Sequence, residues 1–309
     1  MRNAFALACA LIALGANAAP NAAHEKLVPA GFRAGVAAVA LDPRVAEISG
    51  MALSHRGDAA LWVHNDSDGG AVLYALDSGA AVIGTIVVEG ERNQDWEDLA
   101  GYVEDGQPRL MIGDVGDNGG LREEIRLIVV DEPEPAGEHR ARPRYVIRAR
   151  WPDGPRDCEG IAVDAAAGEV LLISKKRVPA QLFRVALAPP ASSDEVRVAE
   201  QIATIPGIPQ PSEEELAAEP VSGKWRSQIT SMDLDPAGKR LLLLTYRDAY
   251  LFSRGAGQAW REALFAAPQR LGMLALPQAE AIAFDRAGHA IWIATERLPA
   301  PLLRLEPAL

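Results

Sequence analysis

Residues 95–122 read DWEDLAGYVEDGQPRLMIGDVGDNGGLR. Two carboxylates open an apolar run, Asp105-Gly106 marks a turn, and a second run, Leu110-Met111-Ile112, closes on a cluster of Gly, Asp and Asn. Short apolar runs joined by a Gly-containing turn are the signature of an antiparallel hairpin.

The same unit recurs four more times. Its first strands read Ile48-Ser49-Gly50-Met51-Ala52-Leu53, Trp96-Glu97-Asp98-Leu99-Ala100-Gly101, Cys158-Glu159-Gly160-Ile161-Ala162-Val163, Ile229-Thr230-Ser231-Met232-Asp233-Leu234 and Ala279-Glu280-Ala281-Ile282-Ala283-Phe284. From Ala52, Ala100, Ala162, Asp233 and Ala283 the second apolar run starts 9, 10, 9, 9 and 8 residues on. So constant a spacing makes the hairpin a repeated structural unit.

Third strands are expected at 72–76, 125–130, 181–185, 249–252 and 302–305, and more polar fourth strands at 81–88, 144–150, 196–205 and 261–265. The last unit ends without a fourth strand, while a strand-like run, Phe32 to Leu41, lies free near the start. Helix signals are nearly absent. The exception is 212–219, where Ser212 and Glu215 have capping-box spacing within a long connection from Pro206 to Ser227. Repeated four-stranded sheets with almost no helix predict an all-β protein, a β-propeller closed by its N-terminal strand, in which closure protects the strand edges. Five blades are expected. Six is the alternative, with a degenerate blade between Ala186 and Ser227.

Composition bounds the function. The first eighteen residues carry a basic start, an apolar run and Ala16-Asn17-Ala18, the pattern of a secretory signal. Residues 19–309 are then one propeller domain, periplasmic or extracellular. Cys9 lacks a leucine three residues before it, so lipidation is not expected. With the signal removed Cys158 stands alone and no internal disulfide forms. A net charge of −11 argues against nucleic acid, which requires a basic surface. No later stretch reaches the roughly 18 apolar residues of a membrane span.

In a propeller the residues before each first strand and after each second strand share one mouth. The first-strand column then delivers Glu97, Glu159 and Glu280, with Asp98 adjacent, and Ser49 and Thr230 in the remaining two blades. Converging carboxylates repel unless protons or a cation balance them, and hard divalent cations prefer such oxygen ligands. Glu97, Asp98, Glu159 and Glu280 are therefore candidate metal ligands, supplemented by Asp66 and Asp114 from the second-strand ends. The competing assignment is turn architecture, since Asp, Asn and Gly are what tight turns use. Blades three to five end instead in Lys175-Lys176-Arg177, Tyr246-Arg247-Asp248 and Thr295-Glu296-Arg297. Lys175 and Arg247 are candidates to orient an anion; solvated surface charge is the alternative. His64 is the one histidine placed at the mouth, and Trp96 is the aromatic expected to touch a ligand.

Other chemistries lack their residues: no G-x-S-x-G, H-E-x-x-H, G-x-G-x-x-G or P-loop is present. Cys158 has no partnered histidine and reads as a small buried residue. Trp62 and Trp292 fall inside second strands and read as core.

The segments Asn93-Gln-Asp-Trp-Glu-Asp-Leu, Gly113-Asp-Val-Gly-Asp-Asn, Asp157-Cys-Glu-Gly-Ile-Ala-Val-Asp and Gln278-Ala-Glu-Ala-Ile-Ala-Phe-Asp resemble exported bacterial β-propellers of the esterase-like phytase and SMP-30/gluconolactonase-like group. The resemblance implies a calcium site in the channel and a hydrolase activity, with Glu97, Glu159 and Glu280 at the recurring glutamate. Two functions follow as expectations. One is metal-assisted hydrolysis of a small anionic or ester substrate (an ester, lactone or phosphoester), with Glu97, Glu159 and Glu280 catalytic. The other is a non-catalytic propeller that binds a ligand or protein and holds calcium structurally.

Overall fold

A computed structural model of the chain describes residues 26–28, 31–56, 60–67, 69–271, 276 and 278–308. The signal-like residues 1–18 and Asp68 lie outside these. Among the described residues twenty-three strands form five sheets. In chain order, β1 (Lys26–Val28) and β2 (Phe32–Ala40) precede the first blade. That blade is β3 (Ile48–Leu53), β4 (Leu61–Asn65), β5 (Val72–Leu76) and β6 (Val82–Val88). The second holds β7 (Trp96–Glu104), β8 (Gln107–Asp114), β9 (Ile125–Asp131) and, after β10 (Gly137–Ala141), β11 (Tyr145–Arg150). The third holds β12 (Cys158–Asp164), β13 (Glu169–Ser174), β14 (Ala180–Ala186) and, after β15 (Val196–Val198), β16 (Glu200–Ile205). The fourth is β17 (Ile229–Leu234), β18 (Arg240–Thr245), β19 (Ala249–Ser253) and β20 (Gln269–Arg270). The fifth is β21 (Ala279–Phe284), β22 (Ile291–Thr295) and β23 (Ala300–Pro307), completed by β2 pairing antiparallel with β23.

The protein is thus a five-bladed β-propeller closed by its N-terminal strand, as the repeats predict. The inner strands β3, β7, β12, β17 and β21 pack in succession, and β21 returns to β3. Between each pair of neighbouring blades lies one apolar core, five in all. The hairpin glycines Gly106, Gly168, Gly238 and Gly288 take φ of +73°, +67°, +64° and +68°, a conformation in which a side chain would be strained.

Two expectations for the outer strands are corrected. The stretch 186–227 holds no sixth blade: β15 joins the second sheet, parallel to β11, and β16 is the third blade's own fourth strand. Residues 261–265 hold no strand. A short helix, Trp260–Ala263, buries Trp260 against the third blade, and β20 follows it. The connection 206–227 does carry the capped helix α1 (Glu213–Ala218), with the reciprocal Ser212–Glu215 bonds in place. One strap was not legible: β10 runs parallel to β6 of the preceding blade. Its approach is close enough that a Cβ on Gly84 would lie 2.0 Å from the Pro135 carbonyl.

Every inner strand carries a β-bulge at the same place. Register slips between Ile48 and Gly50, Trp96 and Asp98, Cys158 and Gly160, Ile229 and Ser231, and Ala279 and Ala281. The bulged residues are Ser49, Glu97, Glu159, Thr230 and Glu280. Bulges re-aim a side chain, and here they turn one residue per blade toward the channel.

The residues after the bulges are Gly50, Asp98, Gly160, Ser231 and Ala281, four small and one acidic. A Cβ on Gly50 would lie 2.2 Å from His64 Nε2 and one on Gly160 2.7 Å from Ile173 Cγ2, and Asp98, fully buried, reaches across to the third and fourth blades. Its Oδ1 accepts from Leu99 N (3.0 Å) and Ser231 Oγ (3.0 Å), and its Oδ2 from Ile161 N (2.9 Å) and Met232 N (3.1 Å). Burial pushes its pKa well up, and these donors pull against that. The carboxylate therefore ties the second, third and fourth blades together, and the expectation that Asp98 binds metal is corrected: both oxygens are already occupied. In Asp98→Asn the amide NH2 must face backbone N–H groups whichever way it turns. We expect this variant to lose about 1–3 kcal/mol of stability, the cost of buried unmatched donors, measured as a lowered urea midpoint with the native near-UV spectrum retained. An unchanged midpoint would show that the tie is dispensable.

Candidate functional site

At the bulges, the two hydroxyl residues and the three glutamates behave differently. Ser49 Oγ donates to Glu97 O and Thr230 Oγ1 to Ala279 O, each at 2.8 Å, linking one inner strand to the next. Glu97, Glu159 and Glu280 are buried and converge on Lys175. The position that follows each second strand is Asp66, Val115, Lys175, Tyr246 and Glu296. Lys175 Nζ lies 2.8 Å from Glu159 Oε1 and 5.4 Å from the centroid of the Tyr246 ring. Two residues before the bulges, on the same side of the strand by the period of two, stand Asp95 and Asp157. Asp66, Asp95 and Glu97 each offer a ligand oxygen within 4.8 Å of the others, and so do Glu97, Asp157 and Glu159.

The electrostatics follow from burial first. Burial raises Glu97 well above the usual carboxylate range, and the charges of Glu159 and Asp66 add to it. Burial lifts Glu159 to about 7 against the pull of the Lys175 ammonium, and lifts Glu280 well above its usual range against the same pull. Half-buried Asp95 rises to about 6 by burial and by the nearby Asp66. Lys175 is the opposite case. Burial works against its charge, but Glu159, Tyr246, Glu280 and Glu97 more than offset this and raise its pKa. The chain therefore carries its own cation among three of its carboxylates.

The Gly113-Asp-Val-Gly-Asp-Asn loop presses its backbone onto this cluster. Asp117 accepts from Leu121 N and Arg122 N at 2.8 and 2.9 Å and donates its own N–H to Asp157 Oδ1 at 2.9 Å. The loop so held brings Gly116 to where a Cβ would sit 2.1 Å from Glu97 Oε1 and 2.6 Å from the Asp95 carboxylate. Only glycine fits there. Lys176 closes the outer side, 2.7 Å from Asp157 Oδ2 and 2.8 Å from Asn118 Oδ1.

Of the residues expected at the mouth, Glu97, Glu159, Glu280, Lys175 and Asp66 are brought together. Four others are corrected. Trp96 occupies the alternating position shared with Ile48, Cys158, Ile229 and Ala279, all buried between blades, so it packs in the core and not at the mouth. His64 is fully buried, with Nδ1 3.0 Å from Asn65 O and its ring edge-on to Trp96; burial lowers its pKa. Asp114 stands one residue before the column of Asp66, Lys175 and Tyr246 and pairs with Arg122 at 2.9 Å. Arg247 donates to Glu215 Oε1 at 2.7 Å and lies 3.3 Å from Asp248 Oδ2, so it anchors helix α1 to the mouth instead of awaiting an anion. Cys158, Trp62 and Trp292 are buried as expected.

Asp95, Asp157, Tyr246 and Gly116 were not singled out by the sequence reading. Asp95 and Asp157 were findable, since each precedes a recurring glutamate by two residues. Tyr246 was findable as the equivalent of Lys175.

No protein-family profile matches the chain, and no curated protein does. Among solved structures, Raptor of Chaetomium thermophilum aligns over 84% of this chain and 20% of its own, at 13% identity and a TM-score of 0.39. The chain thus spans about a fifth of that protein. A luciferin-regenerating enzyme aligns over 85% of this chain and 92% of its own, at 9% identity and a TM-score of 0.42.

Replacing Lys175 by Met leaves three buried carboxylates without their cation. Their folded-state pKa values then rise further, so the folded chain holds protons that the unfolded chain releases, and stability falls as pH rises. The Lys175 ammonium itself is charged at both pH 5 and pH 8, which lie below the amine's unfolded pKa, whereas Glu159, at about 7, is protonated at pH 5 and needs no cation there. We expect Lys175→Met to cost about 3–5 kcal/mol at pH 8, the usual cost of breaking a buried pair, and distinctly less at pH 5. Thermal unfolding at the two pH values reads the difference; an equal loss at both would remove Lys175 as the balancing charge.

Proposed function

We propose that the mouth of this propeller binds a divalent cation, calcium foremost, and hydrolyses an ester, lactone or phosphoester there. The observation that carries the reading is that Glu97 belongs to two three-carboxylate groups at once, with Asp66 and Asp95 on one side and Asp157 and Glu159 on the other. The donor set is all carboxylate oxygen, which suits a hard cation. Gly116 fits it, because any side chain there would fill the space against Glu97 and Asp95. The resemblance to exported phytase-like and gluconolactonase-like propellers and the signal-like first eighteen residues support the same reading, with the protein acting in the periplasm or outside the cell.

When bound, such a cation supplies Lewis acidity toward a carbonyl or phosphoryl oxygen. The chain's own residues divide the remaining work. Lys175 fixes Glu159 by its 2.8 Å contact and pulls against the rise that burial imposes on its pKa. Glu280 lies outside both carboxylate triads, beside Lys175 and the Tyr246 hydroxyl, with a pKa raised well above the ordinary range. A buried carboxyl with its pKa raised in this way is suited to general acid–base work. Glu280 is the group we assign to that role.

A second reading is favoured by the lysine partners that Glu159 and Asp157 already have. In it the cation is structural and the mouth only binds. Calorimetry with calcium and turnover on a panel of lactones, aryl esters and phosphoesters separate the two. Glu97→Gln is expected to weaken calcium by at least about tenfold, the loss that even an outer partner of a metal ligand causes. Glu280→Gln should bind calcium normally and lose about 10²–10⁴ in kcat. Because Asp95 and Glu159, at about 6 and about 7, must release their protons to bind, calcium affinity should fall from pH 8 to pH 5. Calcium binding without turnover on any substrate selects the structural reading, and absence of calcium binding removes both.

A further inference from the structure

Beside the carboxylate cluster, a cavity of about 400 Å³ opens between the third and fourth blades, under the connection that carries helix α1. Four cations line it: Lys175, Lys176, Arg177 and Lys224, together with Trp225 and Gln228. The first two are already matched, Lys175 by Glu159 and Lys176 by Asp157. The other two are not. Among the described residues no carboxylate stands within ion-pair distance of Arg177 or Lys224. The Lys224 ammonium lies 5.4 Å from the centroid of the Trp225 ring, a contact that positions the charge without neutralising it. Arg177 adds a repulsive field at its neighbour Arg156, whose pKa is lowered by burial first and by Arg177 as well.

Most cations of the third and fourth blades meet an acid: Arg184, Arg197, Arg226, Arg240, Arg247, Arg254 and Arg270 are all ion-paired. In a chain of net charge −11 acidic partners are in excess. Two unmatched cations on one cavity, adjoining a cluster of carboxylates, make a local reversal of sign. We propose that this cavity is a subsite for a phosphate group, with Arg177 and Lys224 as its charged donors. Two positive charges match a dianion, and the guanidinium offers paired N–H donors to phosphate oxygens. Lys175 lines the cavity and touches Glu159, so the cavity adjoins the carboxylate cluster. The further role, orienting a phosphorylated substrate whose reacting bond lies over the cluster, rests on the hydrolytic reading above; phosphate binding itself does not.

The test separates the two. Calorimetry of inorganic phosphate and phenyl phosphate is run on the full chain in calcium-free buffer with chelator, with acetate as the singly charged control. The double variant Arg177→Gln/Lys224→Gln removes two exposed side chains, and Glu97→Gln alters only the carboxylate cluster. We expect phosphate to bind the wild type more tightly than acetate does and more weakly as salt rises. We expect about tenfold loss in the double variant, the equivalent of one charge-assisted hydrogen bond, and no loss in Glu97→Gln. No phosphate binding to the wild type, equal binding to the double variant, or loss in Glu97→Gln would each overturn the subsite. If the protein turns over a phosphorylated ester, the double variant should raise KM with kcat unchanged. If it turns over nothing, the hydrolytic reading fails and the calorimetry still decides the subsite.

Discussion

The β-bulge repeated in all five inner strands is the constraint on which the rest depends. A regular strand would alternate its side chains strictly between neighbouring blades, and each residue near the channel would be buried in one inter-blade core or the other. One inserted residue per blade breaks the alternation at a single point. Ser49, Glu97, Glu159, Thr230 and Glu280 turn to the channel, while the residues just before them remain in the cores. The same insertion is followed by Gly50, Asp98, Gly160, Ser231 and Ala281. Asp98 is the acid among them, and its four donors hold three blades in register.

Turning three glutamates toward one axis creates a charge problem that the fold answers from the second strands. Lys175 is the only cation in the column Asp66, Val115, Lys175, Tyr246, Glu296. One ammonium cannot balance Glu97, Glu159 and Glu280 together, and Asp66, Asp95 and Asp157 add to the excess. Protons make up the difference, which is why burial and mutual repulsion raise so many carboxyls in one place. On the proposed reading a cation would enter such a site in exchange for protons. Such behaviour differs from that of the ion pairs on the blade rims, where Arg140 with Glu89 and Arg184 with Glu200 stand exposed to solvent and contribute little.

Much of this was legible from residues 95–122 and their copies. Inner and second strands, blade number, closure by the N-terminal strand and the convergence of Glu97, Glu159 and Glu280 all follow from local periodicity and constant spacing. What escaped was set by register at single-residue precision. Trp96 and Glu97 are adjacent, yet one is core and the other channel, and only the bulge decides which. Asp114 and Val115 divide in the same way: the acid turns to Arg122 and the valine packs in the core between the second and third blades. The outer straps β10 and β15 were hidden because they pair in parallel with strands of a preceding segment, a contact with no turn to announce it. Arg247 was hidden for another reason, since its partner Glu215 comes from a helix 32 residues away.

The ring is regular where it must close and irregular where it meets solvent. Apart from Asp233, whose carboxylate accepts from Leu234 N and Phe284 N, the alternating positions of the inner strands hold apolar residues in every blade, because each must fill the same wedge between neighbours. The column after the second strands holds an aspartate, a valine, a lysine, a tyrosine and a glutamate, with no such demand on it. The asymmetry has a direction. Asp66, Asp95, Glu97, Asp157 and Glu159 gather toward the first three blades, and Arg177 and Lys224 stand unmatched between the third and fourth. A mouth walled by low-dielectric blades focuses the field between two such poles. A ligand carrying both a polarisable bond and a separate negative charge would enter it in one orientation, and a symmetric five-fold ring of the same blades would have none to offer.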